Sequence, residues 1–188
     1  MELVEPSVQY KDSFIAAVKE YQTDTESASP NEKYRGLSAT ELEKDFESFA
    51  QSERSHSRGE NLPDGFMPET TYWLIDGGEF IGRISIRHKL TERLLQVGGL
   101  IGYDIRPTQR KHGYGSRILA LALPKVKELG LLRVLLTCDA SNVASRKIIE
   151  KNGGVLENQV PNPETGEDKL RYWIDIHSLF RLTYCKFS

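Results

Sequence analysis

The sequence predicts a mixed α/β fold (α+β in the broad sense), in which a central twisted sheet of about 6–7 strands is flanked by about four helices. Residues 97–151 follow a strand-helix-strand-helix order, which indicates parallel pairing through a right-handed crossover. The segments on either side carry hairpin signals, which indicate antiparallel pairing. Helices on both faces of such a sheet would complete the core.

Length and composition favour one domain over residues 1–188. A net charge of −2, from 25 basic and 27 acidic residues, argues against a dedicated nucleic-acid binder. No apolar stretch approaches the roughly 20 residues of a membrane span. Met1–Pro6 lack the basic and apolar regions of a signal peptide, so we expect a cytoplasmic protein. Cys138 and Cys185 are too few for a disulfide framework, and Cys138 fits a small buried residue.

Two helices are predicted in the N-terminal part. Residues 8–22 place Val8, Phe14, Ile15 and Val18 at helical spacing. A second helix starts at Ser38, and its apolar positions Leu42, Phe46 and Phe49 follow at i, i+4 and i+7. Residues 23–36 and 52–67 are polar and are predicted to be loops.

From residue 70 the apolar period changes to that of strands. Asp76–Glu79 connect two strands and predict a hairpin turn. Pro124 predicts a kink at residues 120–124 of the helix that contains it, because it lacks an N–H and clashes with the Ala120 carbonyl. Glycines at 153 and 154 suit a left-handed C-cap, and the tail Leu179–Ser188 is either another strand or a docked tail. The remaining predicted strands are Val97–Ile105, Leu132–Cys138, Val155–Val160 and Leu170–Ile176, and the remaining helices run from Tyr114 to about Leu129 and over Asn142–Lys151.

The loop Arg110–Gly115 lies between a strand and a helix, where an anion is favoured. The first N–H groups of a helix have no partners inside it, and the positive end of the helix dipole lies behind them. Gly113 and Gly115 lack a Cβ, so a diphosphate can approach the backbone closely. A dinucleotide fingerprint fails, because its third glycine would be Ile118, and no Walker loop is present. A purely structural tight turn stays an open alternative.

The wider context of this loop resembles the GNAT acyltransferases. Arg110-x-x-Gly113-x-Gly115 after a strand that ends in Ile105-Arg106-Pro107 is similar to motif A of that superfamily, Q/R-x-x-G-x-G/A. Asn142, Ser145 and the glycines after Lys151 are similar to motif B. The resemblance places motif A at about 97–129 and motif B at about 132–154, and a bacterial branch of predicted acetyltransferases is the most similar group.

The resemblance implies acetyl-CoA as cosubstrate. Backbone amides of residues 111–116 would bind the CoA pyrophosphate, and pantetheine would lie between two splayed strands. An oxyanion donor is expected at the backbone N–H near Ile105. Asn142 would reach the pantetheine, although a plain N-cap role stays open. The implied cofactor-binding residues are Tyr103, Ile105, Arg110, Lys111, His112, Gly113, Tyr114, Gly115, Ser116, Asn142 and Ser145.

The proton-handling positions of the family are substituted here. Ile149 stands where many relatives carry a tyrosine acid, and Gly99 stands where several carry a glutamate. Asp104 and His88 are the candidate catalytic residues, with Tyr103 and Tyr172 as further candidates. An ion pair of Asp104 with Arg106 or Arg87, and an ordinary surface role of His88, stay open. The other histidines lack ligand spacing, so no metal site is expected; they are His56, His112 and His177.

We therefore expect an acetyl-CoA-dependent N-acetyltransferase that moves an acetyl group to a primary amine by direct transfer. The alternative is a non-catalytic sensor of CoA or acyl-CoA on the same fold. The acceptor is a small-molecule or peptide amine, with no nucleic acid or membrane partner, and a homodimer is an open alternative. The resemblance places the acceptor pocket among residues 23–37, 52–67 and 158–168. Acidic residues there, or adjoining it, suit a cationic amine: Asp24, Glu26, Glu32, Glu157, Glu164, Glu167 and Asp168.

Overall fold

The computed structural model describes residues 1–25, 33–62 and 65–177. Glu26, Glu32, Cys185 and the Leu179–Ser188 tail lie outside these ranges. The described residues form two compact units, each made from two stretches of chain: Met1–Ser85 with Tyr103–Tyr114, and Ile86–Gly102 with the chain from Gly115 onward. The strands are β1 (Glu2–Val4), β2 (Glu69–Asp76), β3 (Glu79–Arg87), β4 (Ile101–Ile105), β5 (Arg133–Asp139), β6 (Val155–Val160) and β7 (Lys169–Asp175). The α-helices are α1 (Lys11–Thr23), α2 (Ala39–Lys44), α3 (Phe46–Ser55), α4 (Tyr114–Glu128) and α5 (Val143–Lys151).

The mixed α/β fold class is confirmed, but the strands form two sheets and not one. The first sheet has the order β1-β2-β3-β4, and the second has the order β5-β7-β6. β5 and β6 each pair with β7 in antiparallel fashion. The expected parallel ladder between β4 and β5 is absent from the described strands. Just before β4, the Leu100 N–H donates to the Leu135 carbonyl, at 2.7 Å. The order strand-helix-strand was correct, but it does not by itself fix whether two strands pair.

The hairpin β2–β3 and helix α1 enclose the core of the first unit. Gly77 and Gly78 have φ angles of 58° and 86°, which a tight hairpin turn requires. Phe14 of α1 stacks on Trp73 of β2, with ring centroids 4.6 Å apart. The predicted inward positions of α1 are buried, except that Val8 precedes the helix in a 3₁₀ turn and is 47% exposed.

The helix predicted from Ser38 is two helices, α2 and α3. Asp45 ends α2, and its Oδ1 accepts the Ser48 N–H at 3.1 Å, so it also caps α3. The predicted loop at 52–67 was wrong at its start, because α3 continues to Ser55 and a 3₁₀ turn follows over His56–Arg58. Phe46 and Leu42 are buried as predicted, so the apolar spacing survives the break.

The second unit carries the long helix α4 and the short helix α5. α4 spans Pro124 without interruption, so the predicted kink stays a prediction. A surface cavity of about 470 Å³ adjoins Pro124 and is also lined by Ala120, Leu123 and the end of α5, residues 150–153. Gly153 has a φ of 87°, as expected for the left-handed cap.

The predicted start of β4 at Val97 was wrong. Leu94–Gly98 form a π-helix, and Gly99 then turns with a φ of 66° before the strand begins at Ile101. The Thr137 hydroxyl donates to the Val97 carbonyl at 2.9 Å, and Arg87 donates to the carbonyls of Gly98 and Gly99. These side chains thus supply hydrogen-bond donors to backbone carbonyls that a strand would have paired with a neighbouring strand.

Candidate functional site

The loop between β4 and α4 contains two residues in the left-handed conformation. Lys111 and Gly113 both have positive φ angles, of 65° and 84°. Left-handed residues that alternate with helical ones turn successive N–H groups toward one side, as in known anion-binding loops. The loop leads into the first turn of α4, a helix of 15 residues.

The two glycines of the loop have different roles. A Cβ at Gly113 would have no described atom within 4 Å, so its missing side chain leaves open space for a ligand. A Cβ at Gly115 would lie 2.5 Å from Ile148 Cδ1 of α5, so this glycine allows two helices to pack closely. The expectation that a diphosphate approaches both glycines stays a prediction, and Gly115 has a packing role in addition.

The side chains of the loop are arranged around the backbone surface. Arg110 donates to the Asp24 carboxylate and, through Nε, to the Ile105 carbonyl at 3.1 Å. The Tyr114 hydroxyl donates to Asp76 Oδ2 at 2.8 Å, which raises the pKa of that phenol. Lys111 and His112 are exposed. Arg110 and Tyr114 thus anchor the loop to Asp24 and Asp76.

The end of α1 contacts every second residue from β4 into the loop. The Tyr21 hydroxyl donates to Asp104 Oδ1 at 2.7 Å. Glu20 accepts from Arg106 Nε at 2.8 Å and from the Thr108 hydroxyl at 2.9 Å. One turn later, Asp24 pairs with Arg110. We name Glu20, Tyr21 and Asp24 the α1 clamp.

β4 is the last strand of the first sheet, so one of its edges has no strand partner within that sheet. Arg87 N–H donates to the Leu100 carbonyl, and Arg106 N–H donates to the Ile81 carbonyl. Both bonds fit one antiparallel register, so the backbone N–H and C=O groups of the even-numbered residues between Leu100 and Arg106 point toward β3. The peptide groups of Tyr103 and Ile105 therefore point to the outer edge of the sheet. Tyr103 is half-buried, and the Ile105 side chain is buried.

Asp104, a candidate catalytic residue, lies in a buried ion pair. Its Oδ2 is 2.7 Å from Arg83 Nε, although that N–H is not aligned for a hydrogen bond. Its other oxygen accepts from Tyr21, and burial together with this carboxylate raises the pKa of Tyr21 well above its usual value. The ion-pair alternative was right in kind but wrong in partner, since Arg106 pairs with Glu20 and Arg87 bonds carbonyls of the π-helix. Both oxygens are engaged, which supports a structural role over that of a base.

His88, the other candidate, follows β3 and lines a surface cavity of about 370 Å³ in the second unit. Arg133 and Trp173 line the same cavity, with the guanidinium 3.7 Å from the indole centroid. None of the other described residues that line this cavity is a predicted site residue.

Asn142 caps α5, and Ser145 lies one turn further along the helix. The Ser145 N–H donates to Asn142 Oδ1 at 2.9 Å, and Asn142 is exposed. The cap uses only Oδ1, so it leaves the amide Nδ2 for another acceptor. The Ser145 side chain is hydrogen-bonded to the thiol of Cys138, which is buried; burial first, and then Asp139, raise the pKa of this thiol to about 11.

The two substituted proton-handling positions have packing explanations. A Cβ at Gly99 would lie 2.7 Å from the Leu135 carbonyl, so no side chain fits there. Ile149 is fully buried and packs against Gly154. Tyr172 donates to Glu150 Oε1 at 3.0 Å, and burial followed by this contact raises its pKa to about 12. This phenol is therefore a protonated donor at neutral pH.

Most of the acidic residues expected to attract a cationic amine are engaged with the chain itself. Asp24 pairs with Arg110, Glu164 with Arg93, and Glu157 with Arg171. Glu167 accepts from Ser141, and Asp168 accepts from Gln159 at 2.7 Å. In the ranges that the structure describes, no group of three or more His, Cys, Asp or Glu residues is placed to hold a metal ion. The helices in these same ranges include none with the length and apolar character to cross a membrane.

A family model for the acetyltransferase (GNAT) domain matches residues 16–155, which is most of the chain. The chain belongs to the GNAT family of acetyltransferases. Members transfer acetyl groups from acetyl-CoA, so the protein is an acetyl-CoA-dependent N-acetyltransferase and acetyl-CoA is its cosubstrate. No curated protein matches the chain as a sequence relative.

Solved GNAT structures share this fold at low sequence identity. RimJ of Mycobacterium smegmatis, in complex with CoA-disulfide, is 19% identical with a TM-score of 0.65, and the match covers 93% of this chain and 81% of that one. RimL, a ribosomal L7/L12 alpha-N-protein acetyltransferase in complex with coenzyme A, is 18% identical with a TM-score of 0.62 and 92% coverage of both chains. The microcin C7 self-immunity acetyltransferase MccE, in complex with acetyl-CoA and AMP, is 13% identical with a TM-score of 0.64, and the match covers 92% of this chain and 91% of that one.

The contacts of the α1 clamp were not predicted from the sequence. Glu20 and Asp24 are spaced i, i+4 on a helix, and polar residues alternate at 104, 106, 108 and 110. Each pattern alone is typical of a solvated surface. Their complementary charges are the signal that would have suggested a pairing.

Proposed function

We propose that the protein acetylates a primary amine by direct transfer from acetyl-CoA bound at the 111–116 loop. The observation that carries this proposal is the pair of left-handed residues, Lys111 and Gly113, in front of the first turn of α4. Gly113 leaves open space at the point where a side chain would block a phosphate. The left-handed backbone and the open space at Gly113 support the proposal that this loop binds the diphosphate of CoA.

The other CoA contacts follow from the same placement. The outward peptide groups of Tyr103 and Ile105 are suited to hydrogen-bond pantetheine and the thioester carbonyl in the manner of a strand. Asn142 Nδ2 is suited to donate to the pantetheine arm, and Ser145 lies one helical turn away. Arg110, Tyr114 and Ser116 act indirectly, since their side chains are engaged by Asp24, Asp76 and Asn152.

Direct transfer requires three events. The acceptor amine loses a proton, because an alkylammonium with a pKa near 10.4 is not nucleophilic. Its lone pair attacks the thioester carbon, and the oxyanion accepts from the Ile105 N–H. The nitrogen then gives its second proton to water, the carbonyl re-forms as the C–S bond breaks, and the departing CoA thiolate takes a proton from water. Asp104 is engaged by Arg83 and Tyr21, so we propose that water removes the first proton.

The acceptor is a small-molecule or peptide amine. The similar RimL structure is named for a ribosomal protein acceptor, and MccE is named for microcin immunity, so this fold accommodates both classes. The described acidic residues are largely paired within the chain, so they do not create a strongly negative pocket. We therefore propose that the acceptor is selected by specific contacts and not by the attraction of its positive charge to such a pocket.

The testing experiment is a screen for amine-dependent release of CoA thiol from acetyl-CoA. Its panel contains polyamines, aminoglycosides, aminoacyl nucleotides and short peptides with free N-termini. We expect turnover with members of one class and none with N-acetylated versions of the same compounds. CoA-dependent thermal stabilisation without turnover on any amine would support the alternative, a non-catalytic CoA sensor.

We propose that the protein works in the bacterial cytoplasm, where acetyl-CoA is available, and the homodimer stays an open alternative to the monomer. Light scattering at several concentrations distinguishes the monomer from the homodimer.

A further inference from the structure

The end of α1 holds the strand and the loop that we assign to acetyl-CoA. Its residues Tyr21, Glu20 and Asp24 contact positions 104, 106, 108 and 110 in order, so contact repeats at every second residue. The contacted segment is a strand up to Ile105 and makes a 3₁₀ turn over Pro107–Gln109, and its partners are the last turn of α1 and the C-cap residue Asp24. Together these contacts hold four side chains within a segment of seven residues.

The contacts close around Ile105. Asp104 before it is held by Tyr21 and by Arg83, and Arg83 in turn donates to the Ser85 hydroxyl at 3.0 Å. Arg106 after it is held by Glu20, with Nη2 2.7 Å from Oε1. The carbonyl of Ile105 itself accepts from Arg110, the partner of Asp24. The peptide groups on both sides of Ile105 are thereby fixed.

Glu20 joins the strand to the loop. Besides Arg106, it accepts from the backbone N–H of Thr108 at 3.3 Å and from the Thr108 hydroxyl. Burial acts to raise the pKa of Glu20, but hydrogen bonds from Arg106 and Thr108 outweigh it and hold the pKa below the usual value. The carboxylate therefore stays ionised and keeps its contacts at neutral pH.

We propose that the α1 clamp is a positioning device with two separable effects. Tyr21, through Asp104, positions the Ile105 N–H for the oxyanion of the transfer step. Asp24, through Arg110, positions the phosphate loop for CoA. The inference rests on the proposed function, because it assigns both targets to acetyl-CoA.

The two effects have different kinetic signatures. An oxyanion forms only in the transition state, so misplacing its donor lowers kcat and leaves CoA affinity unchanged. A phosphate is bound equally in the ground state and the transition state, so loosening the loop raises Kd and leaves kcat at saturation unchanged. Loss of stability alone would produce neither pattern selectively.

The experiment compares Tyr21→Phe, Asp24→Asn and a control on the same helix, Gln22→Ala. Gln22 lies on the same helix, but its side chain donates to the Leu37 carbonyl at 2.7 Å, which belongs to neither β4 nor the loop. We expect Tyr21→Phe to lower kcat about 10-fold, since removal of a whole oxyanion donor costs about 10²–10³-fold. Its pH profile keeps the wild-type shape, and its CoA Kd stays within about 2-fold. We expect Asp24→Asn to raise the CoA Kd about 5- to 10-fold with kcat within about 2-fold.

The outcomes separate this inference from the proposed function. If the wild-type protein neither binds CoA nor releases thiol, the proposed function is wrong. If the wild-type protein does both, and Tyr21→Phe and Asp24→Asn behave like Gln22→Ala, the positioning inference alone is wrong. Loss of the acidic limb of the pH profile in Asp104→Asn, with binding intact, would identify Asp104 as a base and also overturn the inference. Thermal unfolding of each variant, with assays run well below its Tm, keeps the comparison among folded proteins.

Discussion

Replacing Asn142 by aspartate separates capping from cofactor binding with the change of one group. The cap uses Oδ1, which accepts the Ser145 N–H at 2.9 Å, and aspartate keeps that oxygen. Only the amide Nδ2 is lost. Because asparagine and aspartate cap about equally well, we expect the free energy of unfolding to change by less than about 0.5 kcal/mol. A carboxylate at the start of α5 also interacts favourably with the helix dipole.

CoA affinity responds differently to this substitution. Leaving a partner without its hydrogen bond costs about 1–3 kcal/mol, which corresponds to about a 5- to 150-fold increase in Kd. Asn142 is exposed, so solvent can partly replace the lost donor, and we expect the lower half of that range. Calorimetric titration with CoA measures the Kd, and chemical denaturation measures the stability of the same samples.

A matched control exists at α3. Asp45 caps that helix through Oδ1 in the same way, at 3.1 Å from the Ser48 nitrogen, so Asp45→Asn makes the reverse exchange away from the proposed cofactor. We expect that variant to leave the CoA Kd unchanged. An unchanged Kd in Asn142→Asp, with stability intact, would refute the pantetheine contact and leave Asn142 with capping alone.

Three further predictions concern the loop and the buried thiol. Gly113→Val should abolish the thermal stabilisation by CoA, which is worth about 2.7 kcal/mol at a CoA concentration of 100 times Kd. Valine disfavours the φ of 84° that Gly113 adopts, and its side chain fills the open space at this position. A normal thermal shift in the variant would contradict the phosphate assignment. Gly115→Ala should keep the thermal shift with CoA. Ile148→Val should cost about 1 kcal/mol less stability in the Gly115→Ala background than in the wild-type chain, because it removes Cδ1, the atom that the new Cβ would meet. Additive effects of the two substitutions in a double-mutant cycle would contradict this prediction. In a Cys185→Ser background, Cys138 should resist thiol reagents at pH 8, and rapid labelling of the native protein would contradict its burial. Burial raises the pKa of this thiol from its ordinary value of 9.0 to about 11, so between these pH values the folded state retains a proton that the unfolded state loses. Cys138 should therefore make the free energy of unfolding fall from about pH 9 to pH 11 relative to Cys138→Ala.

Local signals predicted the elements whose causes are local. The hairpin at Asp76–Glu79 was found from its two glycines, and the loop before α4 was found from Gly113 and its neighbours. α5 was found from its cap at Asn142. In each case a few adjacent residues determine the backbone conformation, so the pattern is visible in a short stretch of sequence.

The errors came where distant partners decide the structure. Val97 has a strand-forming side chain, yet its segment is a π-helix. Two distant side chains bond the carbonyls of this segment: Thr137, which lies 40 residues after Val97, and Arg87, at the end of β3. Asp45 interrupts the helix without disturbing its apolar spacing, because its side chain accepts the Ser48 N–H at the start of a new helix. The pairing of β4 was also nonlocal, because it depends on how close Gly99 comes to β5.

The candidate site shows the same division. The turn before α4 was predictable because the residues that form it, including Gly113, are consecutive in the chain. The α1 clamp was not, because Tyr21 and Asp104 are 83 residues apart in the chain. The proton-handling positions were recognised as substituted, but the reason at Gly99 is steric and became visible only with the backbone of β5 beside it.

Gly113 and Gly115 are constrained for different reasons, so we expect them to vary differently among homologues. Position 113 is constrained by its own backbone conformation and, under the proposed function, by the CoA diphosphate, and no compensating substitution elsewhere can relax either constraint. Position 115 is constrained by the tip of one neighbouring side chain, and a shorter residue at 148 removes that constraint. Alanine at the second glycine position should therefore accompany a smaller residue at the position of Ile148, whereas the first glycine should stay invariant in chains that still bind CoA. A design that changes the second glycine consequently has to be chosen as a pair of residues, one on α4 and one on α5.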